Sequence, residues 1–287
     1  MILDGKSLAN ERALLLKTRV ATLKAQNIIP TLLIILVGED PASAIYVRNK
    51  VKKCAEIGIK AILEKLEANC SSEAILEVIE KANKDPKIDG IILQSPLPKQ
   101  FNEQEIMQHI HSKKDVDGFG TLNLGHLLSG DEEILAATPL GIIRLLEKYD
   151  IPVASKNVLM IGRSQIVGRP LAAMLLNRDA TVTIAHSKTK NLKEFTQRAD
   201  IVISAVGEPH FITADMIKPG AVCIDVGISR VENHVVGDMD FEHIKDKASY
   251  ITPVPGGVGP MTIISLLENV VSLAEKRKEE YSGSKNC

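Results

Sequence analysis

The chain has 287 residues, a formal net charge of −1, and 45% hydrophobic against 25% charged residues. This is the balance of a folded globular protein long enough for about two domains. Near-neutral charge gives no basic field to attract nucleic acid or anionic lipid. No uninterrupted apolar run reaches the roughly 18 residues of a membrane span, and the N-terminal MILDGKSLANERALL carries charges inside its apolar stretch, unlike a secretory signal.

In chain order, residues 7–26 form an amphipathic helix with Ser7 as N-cap. Residues 31–37 (TLLIILV) are a near-continuous apolar run, as in a parallel strand covered on both faces. Asp40 as N-cap and Pro41 at the first helical position start a helix that runs to about Gly58. A strand at 59–66, a helix at 72–83, a strand at 88–94 stopped by Pro96 and Pro98, and a short helix at 102–111 follow. A helix at 136–149 leads to a second series, with strands at 158–161, 181–185, 201–206 and 222–226. Helices lie between them at 170–177, 192–199 and 214–217, and residues 231–236 suggest a small hairpin. After TPVPGGVGPMT (252–262), Ile263, Ile264, Leu267, Val270, Val271 and Ala274 mark one face of a last helix, and the polar KRKEEYSGSKNC should fray. Alternating strands and helices imply α/β architecture. We expect two α/β domains with parallel sheets, the second a Rossmann-like NADP domain, and a cleft between them. The expected domains are 1–137, joined by the C-terminal helix 262–287, and 138–261.

Four scattered cysteines, Cys54, Cys70, Cys223 and Cys287, with no CxxC pair, read as reduced thiols of a cytoplasmic protein. Neither they nor the histidines have metal-ligand spacing, so no metal is expected.

VLMIGRSQIVGRP (158–170) is a strand, a glycine turn and a helix start. Free N–H groups and the helix dipole there suit a phosphate. Gly162 lets a pyrophosphate approach the backbone, Gly168 lets helix and strand pack closely, and Ser164 can cap the helix. The pattern departs from G-x-G-x-x-G, because Ser164 takes the second glycine place and the last glycine comes one residue late. An ordinary strand-to-helix turn is the alternative. The next strand ends in His186-Ser187-Lys188-Thr189, with no acid for ribose hydroxyls, and Arg163 lies in the first turn. Arg, Ser and Lys favour a 2′-phosphate, hence NADP over NAD.

Tyr46 and Lys50 lie four apart on one helix face. A free lysine is almost wholly protonated at neutral pH, so service as a base requires burial or a neighbouring positive charge. A tyrosine hydroxyl could orient the amine. The alternative is a half-buried tyrosine beside a solvated lysine. Gln94 ends an apolar strand, where its amide can bond both the lysine and a ligand, or simply finish the strand. Asp115 and Asp117 lie in KKDVDGFG. Their spacing resembles a calcium loop, but the glycine and the later glutamate are misplaced for one; a carboxylate in a strand-end loop can instead pair with an amidine-like ring edge, and a surface turn is the alternative. The stiff stretch 255–262 can lay backbone against a flat ring, or act as a connector.

Tyr46-Val-Arg-Asn-Lys50, Gln94-Ser-Pro-Leu-Pro98, Lys114-Asp-Val-Asp-Gly118, Thr138-Pro139, Gly162 to Pro170, His186-Ser-Lys-Thr189 and Pro255 to Thr262 occur in this order. The chain resembles the bifunctional methylenetetrahydrofolate dehydrogenase/methenyltetrahydrofolate cyclohydrolase family over nearly its whole length. The resemblance implies NADP-dependent oxidation of 5,10-methylenetetrahydrofolate and hydrolysis of the methenyl product to 10-formyltetrahydrofolate, within one-carbon metabolism and purine biosynthesis. It implies Lys50 as the central catalytic residue, with Tyr46 supporting it, Gln94 tuning it and Asp117 holding the pterin edge. It also implies NADP contacts from Gly162, Arg163, Ser164, Gly168 and Ser187 and a backbone contact from Ile228. Pro255, Gly256, Gly257 and Thr262 match folate-side contacts. The partners implied are tetrahydrofolate derivatives and a second copy of the chain, docked through the cofactor domain, with no nucleic acid and no membrane. One departure stands out: Ser95 follows Gln94 where the family usually has Leu, which alters the wall beside the folate ring.

Overall fold

The structure, a computed structural model, describes residues 1–232 and 234–283. The helices are α1 (Gly5–Lys24), α2 (Pro41–Ile57), α3 (Ser72–Lys84), α4 (Glu103–Met107), α5 (Thr121–Leu128), α6 (Ala137–Lys148), α7 (Gly168–Leu176), α8 (Leu192–Arg198), α9 (Phe241–Ile244) and α10 (Val258–Gly283). The strands are β1 (Thr31–Val37), β2 (Lys60–Leu66), β3 (Gly90–Leu93), β4 (Asn157–Ile161), β5 (Thr181–Ala185), β6 (Ile201–Ser204), β7 (Val222–Asp225), β8 (Ser229–Val231), β9 (His234–Val236) and β10 (Tyr250–Ile251). The expected 214–217 helix is a single 3-10 turn, Ala214–Met216. Residues 284–287, including Cys287 and part of the tail expected to fray, lie outside the described residues.

The chain divides into two compact units. The first comprises Arg12–His126, Glu132–Ala137 and the chain from Leu266 on; the second comprises Met1–Glu11, Leu127–Asp131 and Thr138–Ser265. By this division residues 127–131 and 262–265 join the second unit, where the sequence reading has them in the first, and so do residues 1–11. Backbone pairing explains why: Leu3 N donates to Ile251 O at 2.8 Å, Ile251 N to Met1 O at 3.0 Å, and Lys6 N to Gly256 O at 2.9 Å.

In the first unit three parallel strands pair in the order β2-β1-β3. All seven residues of β1 are buried, which is why its sequence is apolar without alternation. Leu33, Ile35, Val37, Ile75, Ile79, Ile91 and Leu93 form the core between this sheet and α3. A parallel sheet whose first strand lies between the next two has a switch point, where the following loops diverge and leave room for a ligand. Here it lies between β1 and β3. The chain leaves β1 into α2, and Gln94 ends β3.

The second unit repeats this plan with five parallel strands in the order β5-β4-β6-β7-β10, with the switch point between β4 and β6. Counted from β4 the order is 2-1-3-4-5, the flavodoxin-like variant of the doubly wound sheet. Leu159, Ile161, Val202, Cys223, Ile212 and Ile244 lie in its core. The expected hairpin forms from β8 and β9 as an antiparallel pair.

Helix α10 starts at Val258, four residues before the expected 262, because Pro260 sits in the first turn where its missing N–H breaks no helical bond. Residues Val258–Glu279 are long and apolar enough to cross a membrane by length and composition, although no unbroken apolar run shows this in the sequence. Two thirds of that window is buried within the protein, including Ile264, Leu267, Val270, Val271 and Ala274, so this is a core helix.

Candidate active site

Asp40 shapes the start of α2 by accepting Ser43 N at 2.7 Å, with Pro41 in the first turn; Gly58, at φ 97°, ends the helix. The helix projects Tyr46, Lys50 and Cys54 at four-residue intervals. Lys50 is partly buried, and its Nζ donates to Gln94 Oε1 at 3.0 Å. Gln94 is fixed by its own backbone, whose N–H donates to Ile35 O at 2.9 Å across the switch point. Its Nε2 donates to Ser95 O at 2.6 Å. The orienting bond conceived between Tyr46 and Lys50 does not occur among the described residues; Gln94 holds the amine instead. Tyr46 lies one turn earlier with 51% of its surface exposed. Cys54, one turn later, is fully buried, and burial pushes its thiol up to about 12, leaving it inert.

Asp117 keeps some accessible surface, but its carboxyl is crowded and is pushed up to about 6. Burial is the main cause; Lys50 acts in the opposite direction and Asp115 adds to the rise. Lys50 and Asp117 are therefore electrostatic neighbours. Spacing alone does not separate the two aspartates in KKDVDGFG, of which the resemblance singles out Asp117; the structure separates their surroundings. Asp115 is buried and accepts Gly118 N at 3.0 Å, Gly120 N at 2.7 Å and Asn123 Nδ2 at 2.9 Å. It builds the loop, and Asp117 is carried by it. Asn269 of α10 supports the same loop, donating to Val116 O at 2.9 Å and Leu135 O at 2.8 Å.

In the second unit Gly162 follows β4 at φ +116°. A Cβ there would lie 2.6 Å from Ala205 O, so only glycine lets the chain pass the end of β6. A Cβ on Gly168 would lie 2.3 Å from Gly162 O, so the helix start rests directly on the turn. Helix α7 begins at Gly168, two residues before the expected start, with Val167 in the N-cap position. Ser164 still serves the turn, accepting Val167 N at 3.1 Å and Gly168 N at 3.4 Å, and keeps its own O–H to donate. Arg163 and Ser187 are exposed. The register Ile161↔Ala185, continued by Gly162 N to Ala185 O at 2.8 Å, sets the 163–168 turn beside the His186–Thr189 turn. That turn closes through Thr189 N to His186 O at 2.7 Å and presents no carboxylate. A helix N-terminus, a glycine cradle that any Cβ would fill, and adjacent Arg163, Ser187 and Lys188 fit a phosphorylated dinucleotide.

Two buried carboxylates unnoticed in the sequence shape the neighbouring loops. Asp238 accepts Ser204 Oγ at 2.9 Å, Val206 N at 2.7 Å, Gly207 N at 2.9 Å and Glu208 N at 3.0 Å. Asp225 accepts Gly227 N at 3.0 Å, Asp238 N at 2.9 Å and Met239 N at 2.8 Å; burial pushes it up to about 6 against those bonds. Together they fix the loop that presents Ile228, which is 55% exposed. In the 255–262 stretch Pro255 is exposed, Gly257 N donates to Pro253 O at 2.8 Å, and Thr262 Oγ1 lies 2.9 Å from Thr138 Oγ1. Among the described residues no group of three His, Cys, Asp or Glu could hold a metal.

Two parallel α/β units, the second with a glycine turn opening a helix at its switch point, define an α/β protein that carries a dinucleotide-binding domain. Comparison with known proteins narrows this. The model of the tetrahydrofolate dehydrogenase/cyclohydrolase catalytic domain matches residues 3–117, and that of the family's NAD(P)-binding domain matches residues 136–278. The chain belongs to the tetrahydrofolate dehydrogenase/cyclohydrolase family. Bifunctional protein FolD of Latilactobacillus sakei is 50% identical over 277 residues, covering 96% of this chain and 98% of that protein. The crystal structure of the bifunctional FolD methylenetetrahydrofolate dehydrogenase/cyclohydrolase of Campylobacter jejuni superposes with a TM-score of 0.96 at 46% identity, covering 96% of this chain and 99% of that one. The Trypanosoma brucei methylenetetrahydrofolate dehydrogenase-cyclohydrolase, solved with NADP cofactor and an inhibitor, superposes at 0.91 with 33% identity, covering 96% and 97%.

Proposed function

We infer that the chain is a bifunctional enzyme. It oxidises 5,10-methylenetetrahydrofolate to 5,10-methenyltetrahydrofolate with NADP+ and hydrolyses the product to 10-formyltetrahydrofolate. The observation that carries this reading is the Lys50 amine held at 3.0 Å by Gln94 Oε1, with the Asp117 carboxyl as its electrostatic neighbour. NADP+, when bound, supplies the hydride acceptor. Gly162, Arg163, Ser164, Gly168, Ser187 and Ile228 are the residues that would hold it, with backbone N–H groups at the helix start suited to the pyrophosphate and Arg163 with Ser187 suited to the 2′-phosphate.

The remaining chemistry belongs to the first unit. Asp117, ionised, pairs with the amidine-like edge of the pterin and sets the ring's orientation. Lys50 faces the one-carbon bridge. A cationic methenyl carbon beside Nζ favours the neutral amine by like-charge repulsion. The neutral amine takes a proton from the attacking water as the C–O bond forms. That proton passes to the departing ring nitrogen as the C–N bond breaks, and the remaining hydroxyl proton leaves to solvent as the formyl C=O forms, so the methenyl cation and water give the neutral formyl product and one H+, with Lys50 neutral again. Gln94 accepts from Nζ and keeps it aimed; Tyr46 packs beside the reacting ring. Pro255, Gly256, Gly257 and Thr262 supply folate-side contacts. Exposed Ile184 on the edge strand β5 and Val231 on the β8–β9 hairpin support a homodimer formed through the cofactor domain. A cytoplasmic place in one-carbon metabolism, feeding purine biosynthesis, accords with this reading.

The test is direct. The purified protein, given methylenetetrahydrofolate and NADP+, should form NADPH and then 10-formyltetrahydrofolate, and NAD+ should serve poorly. Absence of both products removes the proposal.

A further inference from the structure

We propose that Glu103 is a positioning residue for the Gln94–Lys50 pair and acts through Ser95. This rests on the catalytic reading of Lys50 and Gln94 above. The Ser95 carbonyl is a hub: it accepts Gln94 Nε2 at 2.6 Å and Ser43 Oγ at 3.3 Å. An amide side chain has one accepting and one donating end. With Nε2 committed to Ser95 O, Oε1 is the end presented to Lys50 Nζ. A flipped amide would set its NH2 against the N–H groups of the amine, donor against donor. The aim of Gln94 is therefore fixed by the orientation of the Ser95 peptide.

Glu103 fixes that peptide. One carboxylate oxygen accepts the Ser95 hydroxyl, and the other accepts Leu97 N at 3.1 Å. The carboxylate thus holds the chain on both sides of Pro96, which has no N–H of its own to anchor. Glu103 is itself seated: it opens α4, which Asn102 caps and whose Ile106 is buried in the core. Ser43, 1% exposed, lies in the first turn of α2, so the same carbonyl ties the end of β3 to the helix that carries Lys50. The hydroxyl at 95 is what the carboxylate grips. A leucine there, as the resemblance led us to expect, has nothing to offer Glu103. Ser95 and Glu103 form a pair in this chain, and the departure at 95 bears on how Gln94 is held.

The test uses kcat and KM for methenyltetrahydrofolate hydrolysis, with the melting temperature, for Ser95→Ala, Ser95→Thr, Glu103→Ala and Gln94→Ala and for the first and third combined with Gln94→Ala. We expect Ser95→Ala and Glu103→Ala each to lower kcat about three- to tenfold, the loss of one or two hydrogen bonds, with KM within about twofold of wild type. Ser95→Thr should keep wild-type kcat. With Gln94→Ala already in place, neither change should lower kcat further, because residues acting through one group are not additive. Wild-type kcat in Ser95→Ala and Glu103→Ala, or an undiminished loss on top of Gln94→Ala, overturns the proposal. If Gln94→Ala itself keeps wild-type kcat, the catalytic reading of Gln94 fails; if it is impaired while the other two are not, only the present inference fails.

Discussion

Asp115→Ala tests whether the loop carrying Asp117 is built as described. Asp115 is 4% exposed and accepts three donors, Gly118 N, Gly120 N and Asn123 Nδ2, at 2.7–3.0 Å. Alanine leaves Gly120 N and one amide hydrogen of Asn123 without an acceptor, while Gly118 N keeps the backbone Asp115 O at 3.2 Å and Asn123 Nδ2 keeps Ser112 O at 3.1 Å. A buried unpaired donor costs about 1–3 kcal/mol. Two effects reduce the sum: Gly120 is partly exposed and can turn to water, and the substitution removes a carboxylate whose pKa burial has raised. The net expectation is a loss of about 1–4 kcal/mol. Asp115→Asn keeps one oxygen to accept and should lose about 1–2 kcal/mol. Urea titration followed by circular dichroism, extrapolated linearly to water, measures this. The KM for folate should rise in parallel, since the loop that positions Asp117 loosens. A loss below about 1 kcal/mol for Asp115→Ala would show that the backbone holds the loop without the carboxylate, and the division of labour between the two aspartates would be wrong.

Asp117 is pushed up to about 6, so its charge is present above that pH and lost as pH falls through it; KM for folate should rise up to about tenfold between pH 7 and 5. Asp117→Asn should show a high, pH-independent KM, and a flat wild-type profile would exclude the carboxylate as anchor. Arg163→Ala should weaken NADP binding about ten- to hundredfold and leave NAD binding unchanged, as loss of a charge-assisted phosphate contact requires; an unaltered preference in fluorescence titration would place the 2′-phosphate elsewhere. Gly168→Ala puts a methyl 2.3 Å from Gly162 O. The backbone must move, at a cost of about 1–3 kcal/mol. NADP affinity should fall by at least about tenfold while folate binding persists; equal loss of both would mean general misfolding.

Much of this was legible where local chemistry acts alone. The apolar run of β1 declares a strand buried on both faces, and Asp40, Pro41 and Gly58 bound α2 almost to the residue. The strand expected at 88–94 shortens to β3 because Asp89 is drawn to the start of β1, its carboxylate accepting Thr31 N at 2.8 Å. Helix α5 went unseen because Gly125 interrupts a short segment and the side chain that meets its first N–H, Gln108 Oε1 accepting Thr121 N at 2.8 Å, lies 13 residues earlier in the chain. The strand-like pairing of the N-terminus with Ile251 depends on residues almost the whole chain apart, which no local pattern encodes. The site divides the same way. Lys50, Gln94 and Gly162 are marked by their places at helix faces and strand ends. The supporting groups Asp115, Asp225, Asp238 and Glu103 look like any acid in a polar loop until the fold shows which N–H groups they face.

The proposed ring opening depends on the Lys50 amine acting on the one-carbon bridge. The deciding measurement is the pair of rates, hydride transfer and ring opening, in purified Lys50→Met, with NADP binding as control. Ring opening should fall at least about a hundredfold, at the level of a lost general base, with a smaller loss in hydride transfer and unchanged NADP affinity. Ring opening at the wild-type rate, or equal losses in both reactions, would contradict that dependence.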